Sequence, residues 1–313
     1  MKKYDLLVPG ELNPDLILTD PNLQAQFGQA ETLVQHAALT PGSSSVIFAC
    51  GAARLGLKVA FIGVVGNDLF GRFMIEALVN RGVDTSHIII DPRQQTGLTV
   101  ILNRVSDRAM LTHLGAINAL RAEQIPDDLL AQARHLHLAS YFLQTHLRPD
   151  VSDLFRRARS LGLSTSLDTN WDPDEKWIGV RALLPLVDVF LPNENEARAL
   201  TGIDSLEEAA RGLATNSKVV AVKLGASGGL AFQGDAIPDG AGDAIQRAPA
   251  IPVEVVDTVG AGDTFDAGFV YGFLQGWPMG KALRLGIACG SLSTQKSGGL
   301  EGQPTLNEAL KYC

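Results

Sequence analysis

Short β-branched or leucine-rich runs alternate with amphipathic helical stretches along this chain. That alternation predicts an α/β fold, a three-layer sandwich whose central, mostly parallel sheet is covered by helices on both faces. Two regions break the rhythm and predict a second, smaller sheet. Residues 12–35 carry the run LIL and then a polar stretch, while residues 88–113 carry III at 88–90 and LTVILN at 98–103. The segment 88–103 reads as a β-hairpin across DPRQQTG, and the two insertions are expected to pair into a lid over the ligand edge of the main sheet. A third observation sets the domain count. Residues 1–313 show no internal repeat, low-complexity tract or linker, so one domain carrying the lid is expected.

Each element has its own justification. YDLLVPG (4–10) is a first strand, and VIFACGAARLG (46–56) is a helix that Gly56 ends. KVAFIGVVG (58–66) reads as the next strand, and FGRFMIEALVNRG (70–82) as an amphipathic helix stopped by Gly82. HLHLAS (135–140), LSTSLD (163–168), VDVFLP (187–192) and KVVAVKLG (218–225) are four further strands. Helical stretches such as VSDLFRRARSLG (151–162) separate most of them.

Composition narrows the function. The 313 residues are 46% hydrophobic and 19% charged, which suits a globular enzyme. A formal charge of −8 disfavours nucleic acid and anionic membranes as general partners, because both need a basic face. Asp5 and Pro9 confine the first apolar run, so a strand fits the N-terminus better than a signal peptide. No apolar run approaches the roughly 18 residues of a membrane span. Cys50, Cys289 and Cys313 have no metal-ligand spacing, and buried thiols in a reducing cytoplasm are expected.

The chemistry concentrates in DTVGAGDTFDAGF (257–269). A helix N-terminus offers unpaired N–H groups and a partial positive charge, so it favours a phosphate. Gly260, Ala261 and Gly262 would leave those amides open to a ligand, with Asp263 on the first turn beside them. With a phosphoryl group on the amides, Asp263 is placed to accept the proton of an attacking hydroxyl. A capping carboxylate worth about 1 kcal/mol is the plainer alternative. Other nucleotide motifs fail. GWPMGKA (276–282) is too short between its glycines for a Walker loop and has alanine in place of the magnesium-binding hydroxyl. GAG at 260–262 lacks both the third glycine and the distant acid of a dinucleotide fold.

With its neighbours, this stretch resembles the C-terminal signature of the ribokinase-like, or PfkB, carbohydrate kinases. GELNPDLIL, PGSSSVIFACGAARLG (41–56), FIGVVGNDLFGRF (61–73), LPNENEA (191–197) and VKLGASGG (222–229) follow in family order over nearly the whole chain. The resemblance implies a ribokinase-like fold with a β-lid and transfer of the ATP γ-phosphate to a sugar-type alcohol. It implies Asp263 as catalytic base and Gly260, Ala261 and Gly262 as anion hole. Asn13, Asp15, Gly42, Ser43 and Asn170 would bind the acceptor, and Asn193, Glu196, Lys223, Gly225 and Gly228 the nucleotide. Glu196 would also serve Mg2+ through water. Asp257 and the Val259 carbonyl match part of a K+ site, and lids of this family often pair two copies into a homodimer.

Plainer readings stand beside these. Asn193 and Glu196 form a capping box at a helix start. Asp266 reads as a solvated or packing carboxylate, and His135 and His137 as structural. Trp171 and Trp177 fit a substrate loop or ordinary packing equally. The chain also departs from the family pattern. Pro41 replaces the first glycine of the N-terminal signature and Ile47 its asparagine. In Asp168-Thr-Asn170-Trp-Asp172 an aspartate stands where fructokinase-like and ketodeoxygluconate-kinase-like members commonly carry arginine, so a sugar acid would lose a cationic partner. That favours a neutral sugar, fructose ahead of ribose, over ketodeoxygluconate. A nucleoside kinase and a non-catalytic sugar or nucleotide sensor remain the alternatives.

Overall fold

Leu6, Leu7 and Val8 of the first strand are all fully buried, which requires cover on both faces of the sheet that holds them. Leu7 joins a core with Leu136, Phe155 and Phe190, whereas Leu6 and Val8 join another with Phe48, Phe61 and Phe269. Adjacent strand residues point to opposite faces, so the sheet divides two cores. The structure is a computed structural model that describes residues 2–104, 107–234 and 245–313.

Its strands are β1 (Tyr4–Pro9), β2 (Pro14–Thr19), β3 (His36–Pro41), β4 (Val59–Ile62), β5 (Val64–Val65), β6 (Ile89–Ile90) and β7 (Leu98–Asn103). They continue as β8 (Arg108–His113), β9 (Ala133–Leu138), β10 (Ser164–Leu167), β11 (Val189–Phe190), β12 (Val219–Lys223), β13 (Gly229–Gln233) and β14 (Ile245–Ala248). The large sheet runs β14-β13-β12-β11-β10-β9-β1-β4. Pairing is parallel from β4 to β12 and antiparallel only at β12–β13 and β13–β14. Helices 151–160, 194–201 and 206–214 cover one face. Helices 44–54, 69–80, 261–274 and 279–293 cover the other, completing the predicted sandwich.

A separate four-stranded sheet has the order β3-β2-β7-β8. Its location agrees with the predicted insertions, but its pairing corrects two details. The isoleucines at 89–90 pair in parallel with Val64 and Val65 instead of forming a hairpin with β7. The hairpin is β7–β8, and residues 105–106 lie outside the described residues. The third strand, β3, falls beyond the expected boundary at residue 35; its residues are exposed up to Leu39, so no apolar alternation announces it. The single strand expected over 58–66 divides at Gly63, where a Cβ would overlap the Gly10 carbonyl and Leu12.

One polar strip crosses the dry interior. The His135 ring joins Ser164 Oγ through Nδ1 and Ser166 Oγ through Nε2, both at 2.7 Å. His137 Nδ1 meets the same Ser166 hydroxyl at 2.7 Å, and Phe48 stacks on its ring. Burial lowers the His135 pKa to about 3 and pushes His137 well below its usual range, so both rings are neutral. The structural reading of these histidines holds.

Candidate active site

In a parallel sheet the carboxyl ends of the strands open onto a ligand crevice. Here β10 delivers Asp168 and Asn170, β11 delivers Asn193, and β12 ends on Lys223. All four line one cavity of about 780 Å³, with Glu196, Gly225, Gly228, Ala261, Gly262 and Asp263.

Gly260 opens the helix Ala261–Leu274 with φ +71°, a left-handed conformation that glycine adopts without strain. It also packs closely, since a Cβ there would press on Ile47 and Gly299. Ile47, at the expected asparagine position, therefore seals the underside of the turn. Asp263 follows on the first helical turn, 8% exposed. Burial raises its pKa to about 7, with the Asp168 charge adding to the rise while Lys223 and the Ser44 hydroxyl oppose it. A carboxyl poised near neutrality can take a proton from a hydroxyl and later release it to water.

One turn further along, Asp266 occupies the same helical face, as the i to i+3 spacing requires. It is 1% exposed, which corrects the solvated reading. The Lys223 ammonium bridges Asp266 Oδ2 at 3.0 Å and Asp168 Oδ2 at 2.7 Å. Burial alone would lower the Lys223 pKa, but Asp168, Asp266 and Glu196 outweigh it and raise it. Burial likewise opposes ionisation of Asp168, yet Lys223 holds that carboxyl below its usual range, whereas burial leaves Asp266 well above it. Single ligand atoms of Asp168, Asp263 and Asp266 lie within 4.8 Å of one another. Lys223 supplies that carboxylate group with an internal cation.

Sequence reasoning missed this cluster because its members lie 55 and 43 residues apart in ion pairs made only by folding. The usable signals were the i, i+3 aspartates and Asp168 at a strand's carboxyl end.

Of the residues expected to bind the acceptor, Asn170 lines the cavity, while Asn13, Asp15, Gly42 and Ser43 stand on and around the small sheet outside that lining. Asn13 and Asp15 are buried at the start of β2. Burial raises the Asp15 pKa to about 7, opposed by the charge of Arg108 from β8, which also lines the cavity. A Cβ on Gly42 would overlap the Asp15 carboxylate, so that position requires glycine. Ser43 donates to the Glu11 carbonyl at 2.6 Å and caps the helix Ser44–Arg54 through Val46 N–H. Glu11, absent from the sequence expectations, is buried and accepts from the Ser43, Ser45 and Ser140 hydroxyls. The Asn170 amide is fixed in orientation, its Oδ1 accepting the Ser140 N–H at 2.8 Å while Nδ2 donates to Ser44 Oγ at 2.9 Å.

Asp172 does not line the cavity. Its carboxylate accepts backbone N–H groups of Asp174, Lys176 and Trp177 at 2.7–3.0 Å and shapes its own loop. Position 172 supplies no cation to an acceptor, as expected, but its aspartate is turned to its own loop and adds no charge to the cavity lining. On the same loop Trp171 remains 45% exposed and meets Trp177 edge-on.

Asn193 and Glu196 form the capping box, with Glu196 N–H on Asn193 Oδ1 at 2.9 Å and Asn193 N–H on Glu196 Oε2 at 2.8 Å. Both also line the cavity, so cap and site coincide. Burial, then the Asp168 charge, raise the Glu196 pKa to about 7. Its second carboxylate oxygen has no hydrogen-bond partner among the described residues, a donor set that fits a hard cation retaining part of its water shell. Asp257 accepts the N–H groups of Val259 at 3.0 Å and Gly298 at 2.9 Å, which ties the loop before the glycine turn to residues 297–298.

Comparison with known proteins converges on one assignment. The profile of the pfkB family carbohydrate kinases matches residues 3–306. A ribokinase of Haemophilus influenzae is 30% identical over 98% of this chain and 97% of its own. A 5-dehydro-2-deoxygluconokinase of Geobacillus thermodenitrificans is 29% identical over 99% of this chain and 93% of its own. The Escherichia coli protein assigned as ribokinase II, solved with ATP and Mg2+, superposes with a TM-score of 0.85 at 25% identity over 99% and 98% of the two chains. A phosphotransferase fold, a cavity at the strand ends and a family profile spanning the sheet agree, and this chain belongs to the pfkB family of carbohydrate kinases.

Proposed function

We propose that this kinase transfers the γ-phosphoryl group of ATP to a hydroxyl of a small sugar or sugar acid, with Asp263 as the general base. The observation that carries this reading is Asp263 itself. It is a buried carboxyl with a pKa near 7, on the first turn after the Gly260–Gly262 amides, at the floor of a cavity of about 780 Å³. The acceptor lies between Asp263 and the pair Asn13 and Asp15, with Gly42, Ser43 and Asn170 beside it. Asp263 removes the hydroxyl proton as the oxygen attacks phosphorus, and the amides receive the charge on the phosphoryl oxygens. Gly225 and Gly228 flank the nucleotide with Asn193. A Mg2+ ion carried by ATP and held through water near Glu196 would neutralise phosphate charge. The small sheet serves as the lid, excluding the water that would otherwise compete as acceptor.

A neutral sugar, fructose or ribose, is the first acceptor class. Arg108 favours a second, because it is a cation lining the cavity beside Asp15, suited to a carboxylate on the acceptor. ADP release is measured with fructose, ribose, 2-dehydro-3-deoxygluconate, 5-dehydro-2-deoxygluconate and adenosine, with and without K+. Turnover of a neutral sugar that survives Arg108→Gln supports the first class. Preference for a sugar acid, lost in Arg108→Gln, supports the second. Preference for adenosine would replace both with a nucleoside kinase, and silence across the panel would overturn the reading. Stimulation by K+ that Asp257→Asn abolishes supports the cation site at Asp257 and Val259. Pairing of two lids is tested by mass in solution; the exposed Leu39, Met110 and Leu111 of the small sheet are the residues to replace.

A further inference from the structure

The Lys223 ammonium carries three N–H donors, and the fold uses two. One goes to Asp168 Oδ2 and one to Asp266 Oδ2, while no third partner exists among the described residues. The lysine nevertheless lines the cavity. Its position is close to the phosphoryl end, since a Cβ built on Gly262 would lie 3.7 Å from Nζ. The two carboxylates hold the ammonium from behind, and the helix turn lies along its side. A part-buried lysine with one uncommitted donor beside the first turn of the helix Ala261–Leu274 is arranged to meet an anion.

We infer that Lys223 is a catalytic residue that donates its third N–H to an oxygen of the phosphoryl group in flight, and that Asp168 and Asp266 are its positioning residues. This rests on the kinase reading above and goes beyond nucleotide binding. As the acceptor oxygen–phosphorus bond forms and the γ-phosphorus–bridging oxygen bond breaks, the acceptor proton passes to Asp263 and ADP departs with the bonding pair. Charge shifts toward the bridging and equatorial oxygens during that exchange, and the ammonium meets the shift without itself losing a proton. Three features keep it in place. Asp168 sits at the end of β10, Lys223 at the end of β12 and Asp266 on the helix Ala261–Leu274, so each is fixed by a regular element. The contact with Lys223 also accounts for an aspartate at position 266, where a buried carboxyl without a partner would be costly.

The test uses the full chain, Mg·ATP and the best acceptor of the panel. Lys223→Met is expected to lower kcat by about 10²–10³ while the KM values for ATP and acceptor change by less than about threefold. In Lys223→Ala, ethylammonium is expected to restore part of kcat in a saturable way, a response that a purely structural lysine would not give. Asp266→Asn keeps a hydrogen-bond acceptor for Lys223 but replaces the carboxyl group, and is expected to lower kcat by about tenfold at unchanged ATP affinity. Unchanged kcat in Lys223→Met, or a loss of ATP affinity that accounts for the whole defect, overturns the inference. If Lys223→Met fails to fold, Lys223→Arg and Asp266→Asn decide: a kcat loss without KM change supports it, and wild-type kcat in both overturns it. Asp263→Asn separates the two claims. An inactive Asp263→Asn beside a fully active Lys223→Met sinks only the lysine, whereas a wild-type protein silent on every acceptor sinks both.

Discussion

In the proposed reading, the two ends of the site are built in different ways. The phosphoryl end stands on one contiguous segment: a glycine turn, the Asp263 helix turn, and Asp266 three residues later, braced by a lysine from the neighbouring strand. The acceptor end is assembled from four separate stretches, around residues 11–15, 42–45, 108 and 140–170, partly on a small sheet whose outer strands are exposed. Chemistry that does not vary with substrate sits on regular elements of the central fold. The residues proposed for the acceptor sit on loops and an added sheet, and relatives of this chain are named for acceptors as different as ribose and dehydrodeoxygluconate.

The largest test of that division is at the phosphoryl end. Asp263→Asn is expected to lower turnover by about 10²–10⁴, with ATP and acceptor affinities by calorimetry within about threefold of wild type. Near-normal turnover would remove Asp263 as the base. At the acceptor end, Gly42→Ala forces a methyl onto the Asp15 carboxylate. It should raise the acceptor KM by about tenfold to a hundredfold while ATP affinity stays unchanged. Equal damage to both substrates would mean that the two ends are not separable.

Titration gives an intermediate effect. Asp263 must be ionised to accept a proton, so kcat/KM is expected to rise with pH through about 7, where burial has placed it. Stability moves the other way. A carboxyl whose folded pKa is raised above its unfolded value of 3.8 favours the folded state when protonated. That contribution declines as pH rises from about 4 through 7. The Tm of the ligand-free wild type, minus that of Asp263→Asn, should therefore fall between pH 5 and pH 8. A constant difference would indicate a carboxyl that titrates normally.

Smaller effects, read as stability, are expected from residues whose side chains hold the local backbone. Asp172→Ala leaves three backbone N–H groups without their acceptor and should cost about 1–3 kcal/mol of stability by denaturant titration. Asp172→Asn should leave the ratio of sugar-acid to neutral-sugar turnover within about twofold; a larger change would return that side chain to the substrate. Asn193→Ala removes half of a capping box and should cost about 0.5–2 kcal/mol.

The same division governs what the sequence reveals. The sheet strands were legible because burial on both faces writes continuous apolar runs, and Asp263 because glycine, small residue, glycine and acid stand together. Strand β3 was not, since its exposed face carries no alternation. The isoleucines before β7 misled because an apolar run does not name its partner, and theirs is β5, more than twenty residues upstream. Glu11 and the Lys223 pairs escaped because their meaning lies in tertiary contacts. Asp172 shows the converse error: a motif position was read as facing ligand when its carboxylate is consumed by its own loop.

The histidine strip inside the sheet has one further consequence. Ser166 owns a single hydroxyl proton and stands between two neutral rings, so it donates to one and accepts from the other. The tautomers of His135 and His137 are thereby locked together, and neither ring can exchange its N–H position without the other following. The strip has a polarity, running from Ser164 to His137 or back, and reversing it repositions four hydrogens, the two ring N–H and the two serine hydroxyl hydrogens. His137 Nε2 has no hydrogen-bond partner among the described residues and ends the strip. One direction places an unpaired N–H there and the other an unpaired lone pair, the cheaper defect in a dry interior. The sheet interior thus carries a fixed arrow, which the nitrogen resonances of the two rings would report as a single two-state reading.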